Sequence, residues 1–100
     1  ESLSDLPTAI FCENDYIAIS LIKTLDTIGI KTPEDISVIG FDNISESRVI
    51  TPELSTIKVN KRELAIQTLE LLENIIHNAD ENKHVFINTT LIVRNSSSTV

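Results

Sequence analysis

The pattern that most constrains the fold is a pair of short apolar runs with a helical repeat between them. The runs cover residues 8–12 and 36–41, and polar residues flank both. Their length and flanks favour strands that are buried on both faces, as in a parallel sheet. The apolar residues between them recur at helical spacing: Ala18, Leu21, Ile22 and Leu25. A strand, a helix and a strand form a βαβ unit, whose right-handed crossover makes the two strands parallel.

The residues around this repeat predict a helix over residues 15–28. Asn14 or Asp15 can cap its start, because a short side-chain oxygen accepts a hydrogen bond from a free N–H group of the first turn. Capping alone explains Asp15, so the pattern favours a local role for it. Gly29 fits the left-handed position that follows a last helical turn.

The second half of the chain continues the alternation of strands and helices. Residues 54–59 predict a further strand, and Asn60 with Glu63 is typical of a helix start, so a second helix is expected over 61–77. The remaining expectations are a polar loop over 78–83, a strand over 84–94 and a frayed tail over 95–100. This order predicts an α/β fold with a small core.

Charge and composition exclude several classes of protein. The formal net charge is −7, and residues 1–50 carry nine acidic and three basic side chains. Such an acidic surface repels phosphate backbones, so this chain is a poor candidate for binding nucleic acid directly. The single cysteine excludes an intrachain disulfide, and neither a membrane-spanning run nor a secretory signal is present in the sequence. We therefore expect a cytoplasmic protein.

Polar residues follow both strands of the predicted βαβ unit. Asn14 comes after the first strand and Asp42 after the second. Ligands of open parallel sheets bind outside the carboxyl ends of the strands, and a carboxylate with an amide can hydrogen-bond a polyhydroxylated ligand there. The alternatives remain open, since Asn14 can be a helix cap and the Asp42-Asn43 pair is also common in turns.

No catalytic or metal-binding constellation accompanies these residues. His77 and His84 lie seven positions apart with no partner at metal-ligand spacing. The chain has no Gly-x-Ser-x-Gly motif and too few glycines for a phosphate-binding loop, and Cys12 fits a buried strand position. We therefore expect no enzyme, no metal and no cofactor.

Ile19 lies off the main apolar stripe of the first predicted helix. It either meets a second packing layer or belongs to a partner surface.

Four blocks of sequence carry a family resemblance. They are Pro7-Thr8-Ala9-Ile10-Phe11-Cys12-x-Asn14-Asp15-x-x-Ala18, Gly29-Ile30-x-x-Pro33-Glu34-Asp35-Ile36-Ser37-Val38-Ile39-Gly40-Phe41-Asp42-Asn43, Pro52-x-Leu54-Ser55-Thr56-Ile57 and Leu91-Ile92-x-Arg94-x-Ser96. In order and spacing they resemble the C-terminal part of the lactose/galactose repressor (LacI/GalR) family, and the resemblance covers nearly the whole chain. Glu13 departs from the family pattern, which has a small residue there, and Ala65 departs near a common glycine.

The resemblance implies a periplasmic-binding-protein-like parallel sheet with flanking helices, present as a C-terminal portion of a two-lobed core. It implies that residues 1–53 belong to the C-terminal lobe. Residues 54–78 would then cross to the N-terminal lobe, and residues 79–100 would return and end in a tail.

The resemblance also implies a function. It indicates the effector-binding and dimerisation portion of a bacterial transcriptional repressor, with an absent helix-turn-helix headpiece contacting operator DNA. The expected effector is a mono- or disaccharide bound by Asn14 and Asp42. The expected partner is a second copy, with Ile19, Arg48 and Ile50 at the dimer interface. The alternative is a periplasmic-type sugar-binding protein of a transport system.

Overall fold

The computed structural model of the chain describes residues 5–77 and 84–99. The chain divides into two compact units, one formed by Glu1–Lys58 with Thr90–Val100 and the other by Val59–Thr89. None of the helices in the described residues has the length and hydropathy needed to cross a membrane.

The centre of the first unit is a parallel pair of strands. Strand β1 spans Ala9–Phe11 and strand β2 spans Ser37–Ile39, with Ile10 opposite Val38. A parallel bridge between Ile39 and Ser55 adds the next segment of chain beside β2. The predicted parallel βαβ unit is therefore confirmed, although both strands are shorter than the apolar runs that contain them.

Helix α1 connects these two strands and covers their core. It spans Asp15–Thr27, and the side chain of Asn14 accepts a hydrogen bond from the backbone N of Ile17 at its start. Gly29 has a φ of 84°, which is the left-handed conformation expected after the last turn. The buried apolar core consists of Cys12, Ala18, Ile22, Leu25, Ile30, Ile36, Val38 and Leu54.

The remaining elements follow a short 3₁₀ helix at Ser45–Arg48. Strand β3 spans Thr56–Val59, strand β4 spans Thr89–Ile92, and the two pair in a second sheet. Helix α2 spans Lys61–His77, as predicted, and Asn60 Oδ1 accepts a 3.1 Å hydrogen bond from the backbone N of Glu63. The polar loop predicted over 78–83 lies outside the described residues.

The prediction of a frayed tail after residue 94 is wrong for residues 95–99, which the structure describes. Ser96 is fully buried, its Oγ donates to the backbone O of Val38 at 2.6 Å, and the same Oγ accepts from the backbone N of Ser55 at 2.8 Å. The strand expected over 84–94 is also shorter, because residues 84–88 carry no regular structure. Serine hydroxyls attach the tail to β2 and to Ser55, the residue before β3, and hydrophobic periodicity does not reveal these bonds.

Candidate ligand-binding site

The carboxyl ends of β1 and β2 remain hydrogen-bonded beyond the strands themselves. The backbone N of Cys12 donates to Ile39 O at 2.8 Å, and the backbone N of Asp15 donates to Phe41 O at 3.0 Å. These bonds hold residues 12–15 beside residues 39–41. The structure thus brings the loops that carry the two predicted ligand residues, Asn14 and Asp42, to the same end of the sheet.

Asn14 caps α1 and keeps part of its side chain available. It is half-buried, and its Oδ1 accepts a 2.9 Å hydrogen bond from Ile17 N. Among residues 5–77 and 84–99, no group accepts a hydrogen bond from its Nδ2. The cap interpretation of Asn14 is therefore correct, and no described residue occupies its amide N–H groups, which can donate to a ligand.

Asp42 lies in a turn with an uncommon backbone conformation. Its φ is 115° and that of Asn43 is 57°, so two consecutive residues other than glycine have positive φ. The backbone N of Asp42 donates to Ile57 O at 2.9 Å. Its side chain is half-buried, and no donor in the described part of the chain hydrogen-bonds its carboxylate. A half-buried carboxylate with both oxygens free is a natural acceptor for ligand hydroxyl groups.

Asp15 has a different role from the local cap that its sequence context favours. It is fully buried; its Oδ1 accepts a 2.6 Å hydrogen bond from Thr56 Oγ1, and its Oδ2 accepts a 2.8 Å bond from Ile44 N. A Cβ added at Gly40 would collide with Asp15 Oδ1. The glycine after β2 is the one signal in the sequence for this close approach, and hydrophobic periodicity does not reveal its meaning.

Arg94, like Asp15, has a role near the site that hydrophobic periodicity and capping patterns do not indicate. Its guanidinium donates to Asn43 Oδ1 and Leu54 O at 2.8 Å each, and to Ser47 Oγ at 2.9 Å. A planar group with several donors suits such a junction. Arg94 therefore connects the turn after β2, the 3₁₀ helix and the segment before β3.

Of the three residues predicted for a dimer interface, Ile19 lies on α1, Arg48 ends the 3₁₀ helix and Ile50 lies two residues after it. Ile19 and Ile50 are half-buried and pack against the core, whereas Arg48 is exposed at the end of the 3₁₀ helix. Part of the apolar surface of Ile19 thus meets a packing layer of its own chain, and the rest is accessible. The role of the three residues in a dimer remains a prediction.

Among the described residues, the pKa values of Cys12 and Glu46 depart from their ordinary values. Burial raises the pKa of the Cys12 thiol, which disfavours the nucleophilic thiolate. The hydroxyl of Ser45, which donates to Glu46 at 2.6 Å, lowers the pKa of that exposed carboxyl. In the part of the chain that the structure describes, no three His, Cys, Asp or Glu side chains converge as a metal site.

One known protein family matches nearly the whole length of the chain. The family model described as a periplasmic binding protein-like domain matches residues 1–97. The chain is 41% identical over 96 residues to the HTH-type transcriptional repressor PurR of Photobacterium profundum. This alignment covers 95% of the chain and 29% of that relative, so the chain spans less than a third of the relative's length.

Solved structures show the same similarity. A LacI-type transcription regulator from Bifidobacterium animalis subsp. lactis is 35% identical with a TM-score of 0.76, covering 93% of this chain and 34% of that one. A LacI family transcriptional regulator from Enterococcus faecium with bound ribose is 30% identical with a TM-score of 0.77, covering 98% of this chain and 37% of that one. The predicted fold class is thereby confirmed.

Proposed function

Because the chain belongs to the periplasmic binding protein-like domain family, in its LacI/GalR branch, we propose that it is the effector-binding and dimerisation portion of a bacterial transcriptional repressor. Its effector is a small polyhydroxylated molecule, a mono- or disaccharide. Effector binding is coupled to operator DNA binding. The DNA contact belongs to a helix-turn-helix headpiece, because the acidic surface of this chain repels a phosphate backbone.

The observation that carries this proposal is the pair of free polar groups at one end of the sheet. The carboxylate of Asp42 accepts hydrogen bonds, the Nδ2 group of Asn14 donates them, and neither is paired with a described residue. Sugar hydroxyls both donate and accept, so they match a site that offers both kinds of group. The similar regulator from Enterococcus faecium with bound ribose supports the same class of ligand.

The three parts of the chain have separate places in this proposal. We assign residues 1–53 to the C-terminal lobe, residues 54–78 to the crossing toward the N-terminal lobe and residues 79–100 to the return. An effector that binds one arrangement of the lobes more tightly than the other shifts the population toward it. The same shift changes the spacing of two headpieces in a dimer, which couples the effector site to operator DNA.

Dimerisation is assigned to α1, to the end of the 3₁₀ helix and to Ile50 after it. Ile19 and Ile50 each have an accessible apolar part, and the exposed Arg48 adds a charged side chain. Stable interfaces commonly have an apolar centre and a polar rim. This composition supports a homodimer as the functional unit.

Calorimetric titration of the full-length protein tests the proposal. The panel consists of D-ribose, D-glucose, D-galactose, sucrose and lactose, with adenine and hypoxanthine as aromatic alternatives that carry no hydroxyl-rich ring. Saturable binding of one sugar is the expected result. Binding of a purine base alone overturns the sugar assignment, and the absence of binding to every compound in a folded dimer contradicts a sugar effector.

A further inference from the structure

We propose that Asp15 is a positioning residue that acts with Thr56 to hold Asp42 in place before any effector binds. The proposal rests on the proposed function, in which Asp42 contacts the effector. Asp15 itself is fully buried, so it has no access to a ligand and acts through the turn that carries Asp42.

The carboxylate of Asp15 binds two different segments with its two oxygens. Oδ1 accepts from Thr56 Oγ1 at 2.6 Å, and Oδ2 accepts from Ile44 N at 2.8 Å. The backbone N of Asp15 also donates to Phe41 O at 3.0 Å. Asp15 is therefore hydrogen-bonded to the turn on both sides of Asp42, at Phe41 before it and at Ile44 after it.

Thr56 and its neighbour complete the restraint. Thr56 Oγ1 accepts from Asn43 N at 3.3 Å, and Ile57 O accepts from Asp42 N at 2.9 Å. One backbone group of every residue from 41 to 44 is thus hydrogen-bonded to Asp15, Thr56 or Ile57. We call this set of bonds the turn clamp.

The backbone of the turn explains why such a clamp is needed. Asn43 has a φ of 57°, in the left-handed region that Asn tolerates, whereas Asp42 has a φ of 115°, outside that region, which the surrounding structure must impose. Such conformations concentrate at binding sites, where they fix a side chain in advance. A carboxylate that is already oriented loses less conformational freedom on binding, so the effector binds more tightly.

Gly40 supports the same assignment. A Cβ at this position would collide with Asp15 Oδ1 and lie 3.2 Å from Asp15 Cα. The absence of a side chain at Gly40 thus provides the space for the Asp15 carboxylate. In the described residues no ion pair includes Asp15, so neutral donors alone hold this buried carboxylate. Buried polar atoms need such bonds to offset the hydration that they lose, and here the bonds go to Thr56 and to the turn.

Hydrogen exchange in the full-length protein without effector tests the clamp. The variant is Thr56→Val, which keeps the shape and removes the hydroxyl, and the matched control is Thr56→Ser, which keeps the hydroxyl. We expect exchange at the Asn43 and Ile44 amides to become about tenfold faster in Thr56→Val, with the Val38 amide unchanged and Thr56→Ser like the wild type. Equal acceleration at Val38, or none at Asn43 and Ile44, overturns the proposal.

A double-mutant cycle with the sugar panel tests the link to Asp42. We expect Thr56→Val to weaken binding about tenfold when Asp42 is present and to have no further effect in Asp42→Asn, since coupled residues are not additive. Independent, additive losses overturn the positioning role. If Asp42→Asn alone leaves sugar affinity unchanged, or no sugar binds, the proposed function fails, while the exchange rates still decide whether the clamp exists.

Discussion

The hydroxyl of Thr56 donates a 2.6 Å hydrogen bond to Oδ1 of Asp15, across 41 positions of sequence. Both residues are fully buried, and the bond joins the start of β3 to the first turn of α1. It lies next to the turn of Asp42, whose carboxylate is the central feature of the proposed effector site. The chemistry of the site therefore depends on contacts that are distant in sequence.

Gly40→Ala tests the close approach at the end of β2. The added methyl group would meet Asp15 Oδ1 and lie 3.0 Å from Leu54 Cδ2, so we expect a loss of about 1–3 kcal/mol in the free energy of unfolding. Urea denaturation measures it. The comparison is Gly29→Asn, because no atom beyond the neighbouring residues lies within 4 Å of a Cβ at Gly29. Asn is the side chain that best tolerates the positive φ there, so any loss reflects backbone strain without a steric clash. Unchanged stability of Gly40→Ala would contradict the geometry.

Arg94→Lys tests the junction between the turn, the 3₁₀ helix and the chain before β3. A lysine cannot reproduce the bonds to Asn43, Ser47 and Leu54 O, so we expect about 1.5–3 kcal/mol less stability in urea denaturation. Arg62→Lys is the matched control, since Arg62 is exposed on α2. A variant at position 94 that unfolds at the same urea concentration as the control and the wild type would refute this role.

The parts of the fold that can be predicted from the sequence depend on local chemistry. Asn14 and Asn60 cap the two helices through bonds to N–H groups three residues away, and Gly29 takes its positive φ directly after α1. Such signals lie within a few residues of the structure that they determine. The predicted bounds of both helices therefore agree with the structure to within one residue.

The parts that cannot be predicted in this way depend on partners far along the chain. The Oγ of Ser96 bonds Val38 O across 58 positions, and Arg94 reaches Asn43 across 51. Nothing in the run of serines near the C-terminus distinguishes a buried serine from a solvated one. The sequence favours a cap at Asp15 for the same reason, because its partner Thr56 is identified only when the sheet is assembled.

Charge reversal at Arg48 tests the proposed dimer interface. Arg48 is exposed, so Arg48→Glu should leave the fold intact and shift the full-length protein from dimer toward monomer in sedimentation velocity. Ile19→Glu should also shift the protein toward monomer, with some loss of stability because Ile19 packs against the core. Ile17→Glu is the control, since Ile17 lies about 200° around α1 from Ile19. If Arg48→Glu and Ile19→Glu sediment like the wild type, the interface lies elsewhere.

The most direct test of the account is a thermal-shift measurement on three forms of the full-length protein. They are the wild type, Asp42→Ala and the control Glu34→Ala. Glu34 is an exposed carboxylate that precedes β2, so it lies at the opposite end of that strand from Asp42. Each form is measured with D-ribose, D-glucose, D-galactose, sucrose and lactose, because a ligand that binds the native state raises its unfolding temperature.

We expect one sugar to raise the unfolding midpoint of the wild type and of Glu34→Ala but not that of Asp42→Ala. The lost affinity should correspond to about 2–3 kcal/mol, the scale of a charge-assisted hydrogen bond removed from a partly buried site. An equal rise in the unfolding midpoint of Asp42→Ala and of the wild type would contradict the proposal that the Asp42 carboxylate binds the effector.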